Sequence, residues 1–497
     1  MKQVMKKFYG MIFLSMSLLF CSCGQSGAKD KDFSELTTPG QQEDAYEYRT
    51  YFLPAKDGPI QPYVGDTMPY YEDGVYYIYY LKEGGDSYNH SIYLATTKDF
   101  VTYTEQDEAV LEASDSGQDN WIGTGSVVKA GDRYYFFYTG HADSADIEYK
   151  EKIMVAESDD LTAFHKIAGW EITPPDELGQ KNDFRDPQAY YDPDTDTISL
   201  TITASKDNVA RILKYTVSAD LQKTNYDGII FTNTAGDFWN LECSDTFRLG
   251  DKWYLTYSAQ DDTLWYASAD QQFGPYSEAK RLEGKLFYAA KHIEDGENVY
   301  MAGWARRSES PASTRSVAAW AGNLVVQKIV QKENGDLALA PADSVIQQFQ
   351  NRRKLLADDD QVLIEAGPSH RYVDLCSCYE RYMIKGVFTY SGEGSFGLCF
   401  DYNGEEDKYK LISVSPNENK LQFLFNKGTT PIAETEIHLE PGENYSFTYI
   451  QEGSVGIFYL DDMAALTVRL YGVSGKPVRL FANDNIVTFS GLEQYSN

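Results

Sequence analysis

The stretch Met68-Pro69-Tyr70-Tyr71-Glu72-Asp73-Gly74-Val75-Tyr76-Tyr77-Ile78-Tyr79-Tyr80 decides the fold, because the chain repeats its pattern five times. An apolar or aromatic strand leads into a tight turn, and a second strand dense in tyrosine follows. The phrase returns at residues 126–138 around Gly131, at 188–201 around Asp194, at 246–257 around Gly250 and at 290–304 around Gly296. Most copies are followed by a further strand, as in Ile92-Tyr93-Leu94-Ala95, Ile153-Met154-Val155-Ala156 and Leu264-Trp265-Tyr266-Ala267. Successive turn centres lie 46 to 63 residues apart, the length of a unit built from several short strands. Repeats of this kind stack as propeller blades. The expectation is an all-β chain whose residues 46–341 form a five-bladed β-propeller.

Beyond it the pattern changes. Ser344-Val345-Ile346-Gln347-Gln348-Phe349 reads as a short helix or linker within residues 342–358. From 359 to 497 strands resume without the repeat, as in Lys385-Gly386-Val387-Phe388-Thr389-Tyr390 and Val455-Gly456-Ile457-Phe458-Tyr459-Leu460. Period-two alternation there predicts an antiparallel β-sandwich.

The N-terminus reads as an export signal. Lys2, Lys6 and Lys7 precede an apolar run from Met11 to Phe20, too short to span a bilayer. Cys23 follows a small residue just past that run, which suits attachment of a diacylglycerol to its thiol. Residues 1–22 are expected to be the lipoprotein signal and 23–45, poor in apolar residues, a flexible tether. The expected location is the cell envelope, lipid-anchored at the periplasmic or outer face.

Asp and Glu number 75 against 44 Lys and Arg, a net charge of −31. Such a chain repels nucleic acid and anionic surfaces, so neither is an expected partner, whereas a neutral sugar is compatible with it. The 39 tyrosines and 14% aromatics suit strands first and sugar stacking second. Cys243, Cys376, Cys378 and Cys399 show no metal-ligand spacing with histidines. No metal and no organic cofactor is expected, and a disulfide involving Cys399 stays open.

Eight residues before each turn centre stand Asp66, Gly123, Asp186, Glu242 and Tyr288. Equivalent positions at the start of each innermost strand ring the propeller axis at one mouth. Three carboxylates at one phase therefore converge on a common funnel, although a lone Asp before a strand merely caps a turn. Clustered carboxylates suit glycoside hydrolysis, which needs one carboxyl protonated and another ionised. Mutual repulsion raises one, and the adjacent Arg185 lowers another.

The motifs around these positions resemble glycoside hydrolase family 32, the invertases, inulinases and levanases. Phe184-Arg185-Asp186-Pro187 is similar to its Arg-Asp-Pro motif, and Glu242-Cys243-Ser244-Asp245 to its Glu-Cys-Pro-Asp segment. Trp121-Ile122-Gly123-Thr124-Gly125-Ser126 resembles its aromatic-Ser-Gly-Ser stretch, and Tyr288-Ala289 with Gly303-Trp304 its fifth-blade pair. The resemblance implies Asp66 as nucleophile, Glu242 as acid/base and Asp186 as stabiliser. It places Arg185, Trp121, Gly123, Thr124, Tyr288 and Trp304 around a fructose-containing oligo- or polysaccharide. The implied reaction is retaining, with the two reacting carboxyls about 5–5.5 Å apart. The family's first motif, Trp-Met-Asn-Asp-Pro-Asn-Gly, is reduced here to Asp66 within Val64-Gly65-Asp66-Thr67-Met68. Leu81 and Leu286 stand where a glutamine and an acid are expected, so hydrogen-bonding groups of the fructose subsite are lost. Two alternatives carry forward: a furanosidase of the same propeller clan acting on arabinose-containing glycans, and a surface glycan-binding lipoprotein without turnover. Trp239, Arg306 and Arg307 also lie near motif positions, while His90 and His292 read as structural.

Overall fold

The computed structural model describes residues 46–56, 61–84, 90–144, 147–307, 319–357, 360–403, 408–425 and 430–497. Cys23, the signal segment and the tether lie outside them. Within them the chain is almost entirely β. Strands β1 (Tyr63–Glu72), β2 (Val75–Glu83), β3 (Ile92–Thr97) and β4 (Tyr103–Glu105) form a meander. A second meander contains β5 (Trp121–Ala130), β6 (Arg133–His141), β7 (Glu151–Ser158) and β8 (His165–Ile172). A third contains β9 (Phe184–Asp192), β10 (Thr197–Lys206), β11 (Val209–Ser218) and β12 (Thr224–Thr232). The next contains β13 (Leu241–Leu249), β14 (Lys252–Ala259), β15 (Leu264–Ala269) and β16 (Lys280–Glu283). Finally β17 (Phe287–Glu294), β18 (Val299–Arg307), β19 (Ala319–Gln331) and β20 (Leu337–Pro341) join β1–β4 in one eight-stranded sheet, through the pair Val64↔Gly322.

The hairpins follow from local chemistry. In the first, Glu72 pairs with Val75 across Asp73-Gly74, whose φ values are 48° and 81°. Two consecutive left-handed residues make the turn whose twist matches the strands, and Asp-Gly adopts it at low cost. The strand faces are held together by apolar cores running from one meander to the next. Met68, Tyr79 and Leu94 pack against Val127, Phe136 and Tyr138. Val128, Phe137 and Val155 pack against Ile198, Leu200 and Leu213, and Ile212 and Phe231 against Leu255 and Tyr257. Phe247 and Tyr254 share a core with Phe287, Met301, Ile78 and Tyr80, which returns to the first meander. The tyrosines of the repeat are therefore mainly core, and buried Tyr79 donates its hydroxyl to the Leu161 carbonyl at 2.8 Å.

After β20 comes a short helix, α1 (Asp343–Gln347), and then two antiparallel sheets of seven and six strands among the described residues. Their shared core holds Tyr382, Phe388, Phe396, Leu398, Ile412, Phe458 and Leu480. The strands with period-two alternation thus pack face to face. All four internal cysteines are unpaired.

The C-terminal sheets lock onto β18 through buried Arg469. Its guanidinium donates to the carbonyls of Arg306 (2.8 Å) and Ala305 (2.6 Å) and to Asn323 Oδ1 (2.8 Å). Fully buried Glu283 accepts the amides of Thr467 (2.9 Å) and Gly284 (3.0 Å) on one oxygen. Its other oxygen has no partner among the described residues. Burial raises this carboxyl to about 7, opposed by those hydrogen bonds and by the Thr467 side chain. A carboxyl raised on folding stabilises fully below its unfolded value near 4.5, and that contribution is lost as pH rises through 7. Glu283→Gln is therefore expected to melt several degrees above the wild type at pH 8 and at the same temperature at pH 5. Thermal denaturation at the two pH values checks this.

Candidate active site

Each innermost strand, β1, β5, β9, β13 and β17, breaks register at the same level. The ladder shifts between Val64 and Thr67, between Gly123 and Gly125, across Asp186-Pro187, between Glu242 and Asp245, and between Tyr288 and Lys291. Bulges of this kind bend a strand and re-aim its side chains. Asp186, Cys243 and Ala289 take φ of 58°, 53° and 50° there, a conformation that costs about 1–3 kcal/mol in a non-glycine residue. The amides freed from the ladder need partners, and each finds one on a neighbouring unit. Asp186 N–H donates to Thr139 Oγ1 (2.9 Å), Cys243 N–H to Asp186 Oδ2 (2.8 Å) and Ala289 N–H to Ser258 Oγ (3.0 Å). Each strained position is thus held by the unit before it, Cys243 directly by strained Asp186.

The bulges also correct the simple eight-residue count. Asp66 and Asp186 lie inside their bulges, whereas Gly123, Glu242 and Tyr288 lie immediately before theirs. On regular strands a one-residue offset would send side chains to opposite faces. The extra residues absorb it.

Two linked groups result. Asp66 accepts a hydrogen bond from Thr124 Oγ1 at 2.6 Å on one oxygen and from Trp304 Nε1 at 3.2 Å on the other. Glu242 accepts from Arg185 Nη2 at 3.1 Å and, on its second oxygen, from the Tyr288 hydroxyl. Arg185 Nη1 faces Glu151 at 3.4 Å and Asp183 at 3.3 Å. Asp186, almost fully buried, lies between the groups through its bond to the Cys243 amide. Asp66, Thr124, Arg185, Asp186, Glu242, Tyr288 and Trp304 are therefore brought together. Gly123 contributes closeness, since a Cβ there would lie 3.0 Å from that of Thr139. Trp121 stands apart from the carboxylates at the start of β5, 39% exposed, and meets the His90 ring edge-on at 4.9 Å.

The electrostatics follow from burial and crowding. Burial raises Asp66; the Thr124 hydroxyl opposes this and the Glu242 charge adds to it. Burial lifts Asp186 to about 7, Arg185 working against it and Asp66 and Glu242 with it. Burial would also raise Glu151, but the Arg185 charge, His141 and the Phe184 amide more than offset it and bring the carboxyl to about 2. Asp66 and Asp186 are thus pushed toward the protonated form, while Glu151 beside Arg185 is held ionised.

Several participants were not visible as motifs. Thr139 and the Cys243 amide act through bulge geometry, which no residue type announces. Lys291 is buried and donates to the Gly125 carbonyl (2.8 Å) and Gln188 Oε1 (2.9 Å). Trp320 packs with Tyr288, Trp304 and Cys243. Of the further candidates, Arg306 lies over the Tyr288 ring at 4.6 Å and Arg307 over Tyr63 at 4.1 Å. Trp239 is exposed at its strand entry, and His292 is held by buried Asp245 at 2.6 Å.

Residues 66–341 match the N-terminal domain of the glycosyl hydrolases family 32. The chain belongs to glycosyl hydrolase family 32. This family 32 chain is 28% identical over 407 residues to a sucrose-6-phosphate hydrolase of Escherichia coli, covering 76% of this chain and 80% of the relative. It is 25% identical to a raffinose invertase of Escherichia coli over 55% of this chain and 61% of that protein. Among solved structures, the sucrose-6-phosphate hydrolase of Lactobacillus gasseri superimposes with a TM-score of 0.69 at 18% identity, covering 90% of this chain and 93% of that one. Fructan 1-exohydrolase IIa of Cichorium intybus gives 0.67 at 15% identity, covering 89% and 98%. The shared fold is a propeller followed by a sandwich, and as a family 32 member the chain is a glycoside hydrolase acting on O-glycosyl bonds.

Proposed function

We propose that this family 32 chain is a retaining β-fructosidase, releasing fructose from fructans or fructose-containing oligosaccharides. The observation that carries the reading is the convergence of Asp66, Asp186 and Glu242 from three separate meanders, each carboxylate within electrostatic reach of the other two. In the first step Asp66 attacks the anomeric carbon of the fructosyl unit while Glu242 gives its proton to the departing glycosidic oxygen. The glycosidic bond breaks and an ester to Asp66 forms. In the second step Glu242 takes a proton from water, whose oxygen attacks the same carbon and displaces Asp66, so configuration is retained. Thr124 and Trp304 fix the attacking carboxylate, Arg185 and Tyr288 orient the acid/base, and Asp186 binds fructose hydroxyls. Trp121 and Gly123 border the sugar.

The same reading takes β1–β4 and β17–β20 as two blades joined in one sheet, making five blades over residues 46–341. Residues 342–358 then link to a sandwich over 359–497. It takes Cys23 as the lipidated residue, with 23–45 tethering the enzyme to the cell envelope.

The test offers the purified protein sucrose, inulin, levan and arabinan, with Glu242→Gln as control. Fructose released by the wild type and abolished in the control is the expected result. Arabinose release would assign the chain to the arabinan-directed alternative, and silence on all four with sugar binding intact would leave a binding protein.

A further inference from the structure

Gly65, immediately before Asp66, has surrendered its side-chain space to a tryptophan from another strand. A Cβ at Gly65 would lie 2.1 Å from Trp320 Cη2 and 2.6 Å from Cζ2, so the indole rests on the bare backbone beside Asp66. The Leu81 carbonyl, 2.8 Å from the same point, closes the other side. Trp320 reaches this place because β19 bulges there. Ala319 pairs with Arg307 and Gly322 with Arg306, leaving Trp320 and Ala321 outside the ladder, the latter at φ 66°.

The indole does not stand alone. It stacks on His90, with ring centroids 4.7 Å apart and planes 18° from parallel. His90 in turn meets half-exposed Trp121, and Trp320 meets Trp304 at 6.0 Å, edge-on. Trp304 donates to Asp66. A continuous aromatic wall therefore runs from the rim to the Asp66 carboxylate, and its member nearest that carboxylate's backbone is partly open to solvent.

We propose that Trp320 is a specificity-determining residue: it forms, in place of any side chain at position 65, the wall of the sugar subsite beside Asp66, and recognises the C–H face of a neutral furanosyl ring by stacking. The inference rests on the reading of this funnel as a fructosidase site. An aromatic face offers area and polarisable contact but no hydroxyl-directed hydrogen bond. It contributes equally to ground state and transition state, so its loss appears in KM more than in kcat.

The test compares Trp320→Leu and Trp320→Phe with the wild type, using full-length protein on sucrose, inulin and levan. Trp320→Leu is expected to raise KM about tenfold with kcat lowered less than about threefold, and Trp320→Phe to recover most of the KM. Unchanged KM in the Leu variant, or a Phe variant as impaired as Leu, would overturn the proposal. Calorimetric titration of the same three sugars into Glu242→Gln, with and without Trp320→Leu, separates the two readings. If the wild type turns nothing over, yet sugar binds and the Leu change weakens it about tenfold, the hydrolase reading fails and the stacking wall stands. Absence of binding by any of the three sugars overturns the wall as well.

Discussion

Asp66→Asn is expected to lower fructose release by at least about 10⁴-fold while leaving the fold intact. The substitution is nearly isosteric, and the hydrogen bonds at the site accommodate it. Trp304 Nε1 can only donate, so the amide oxygen must face it. The amide NH₂ then faces Thr124, whose hydroxyl turns from donor to acceptor. What is lost is the negative oxygen that attacks the anomeric carbon. Glu242→Gln removes a proton donor instead, and a general acid contributes about 10²- to 10⁴-fold. The two variants are separable by leaving group. An aryl fructoside, whose departing oxygen needs little protonation, should restore the first chemical step in Glu242→Gln and leave Asp66→Asn inactive. The pH dependence supplies a second check. Asp66 must be ionised to attack, burial raises its pKa, and the Thr124 hydroxyl opposes that rise. Activity should fall as pH drops through the raised value, and Thr124→Val should move that acid limb to higher pH. Retention of more than about 1% activity in Asp66→Asn, with every substrate, would remove the residue from the role.

The parts of this site that were legible in the sequence are those carried by repetition. The tyrosine-rich hairpin fixed the strand order and the turn centres, because pairing across a short turn, two residues at Asp73-Gly74 and four at 193–196 and 295–298, is a local property of the chain. Counting back from those turns brought Asp66, Asp186, Glu242, Gly123 and Tyr288 to one level. What escaped was the bulge in each innermost strand. A bulge is set by contacts between units, such as Thr139 reaching the Asp186 amide and Ser258 the Ala289 amide, and neither Thr139 nor Ser258 differs in type from many other strand residues. Trp320 escaped for a related reason. Its significance lies in Gly65 having no side chain, a relation between residues more than 250 positions apart. The first-motif departures, read in sequence only as lost hydrogen bonds, thus have a physical counterpart: an indole fills the space. The shared carboxyl–guanidinium network around Arg185 was foreseen only as one adjacent charge.

That network supports the second large effect. Arg185 spans two directions at once, one terminal nitrogen facing Glu151 and Asp183 and the other Glu242. A planar fork can do this; a single ammonium cannot. Arg185→Lys is therefore expected to keep the charge but leave either Glu151 or Glu242 without its partner, lowering kcat/KM about 10²-fold by misplacing the acid/base. Arg185→Leu removes the charge as well. It strands buried Glu151, held near 2 largely by that guanidinium, and should destabilise the fold by about 3–5 kcal/mol. The pH dependence of this deficit has a definite sign. Asp186 is already raised to about 7, with Arg185 the main force against the rise. Its protonated form favours folding fully below the unfolded value near 4, and that contribution is lost as pH climbs through 7. Without Arg185 both Asp186 and Glu151 become harder to ionise, so the cost of holding them charged grows with pH. The stability gap between Arg185→Leu and wild type should accordingly be larger at pH 8 than at pH 5, while Arg185→Lys shows a gap nearly independent of pH. Denaturant titrations at the two pH values decide the matter. An equal gap for the Leu variant at both would mean that Arg185 acts through packing, and that the charge balance of the funnel is set elsewhere.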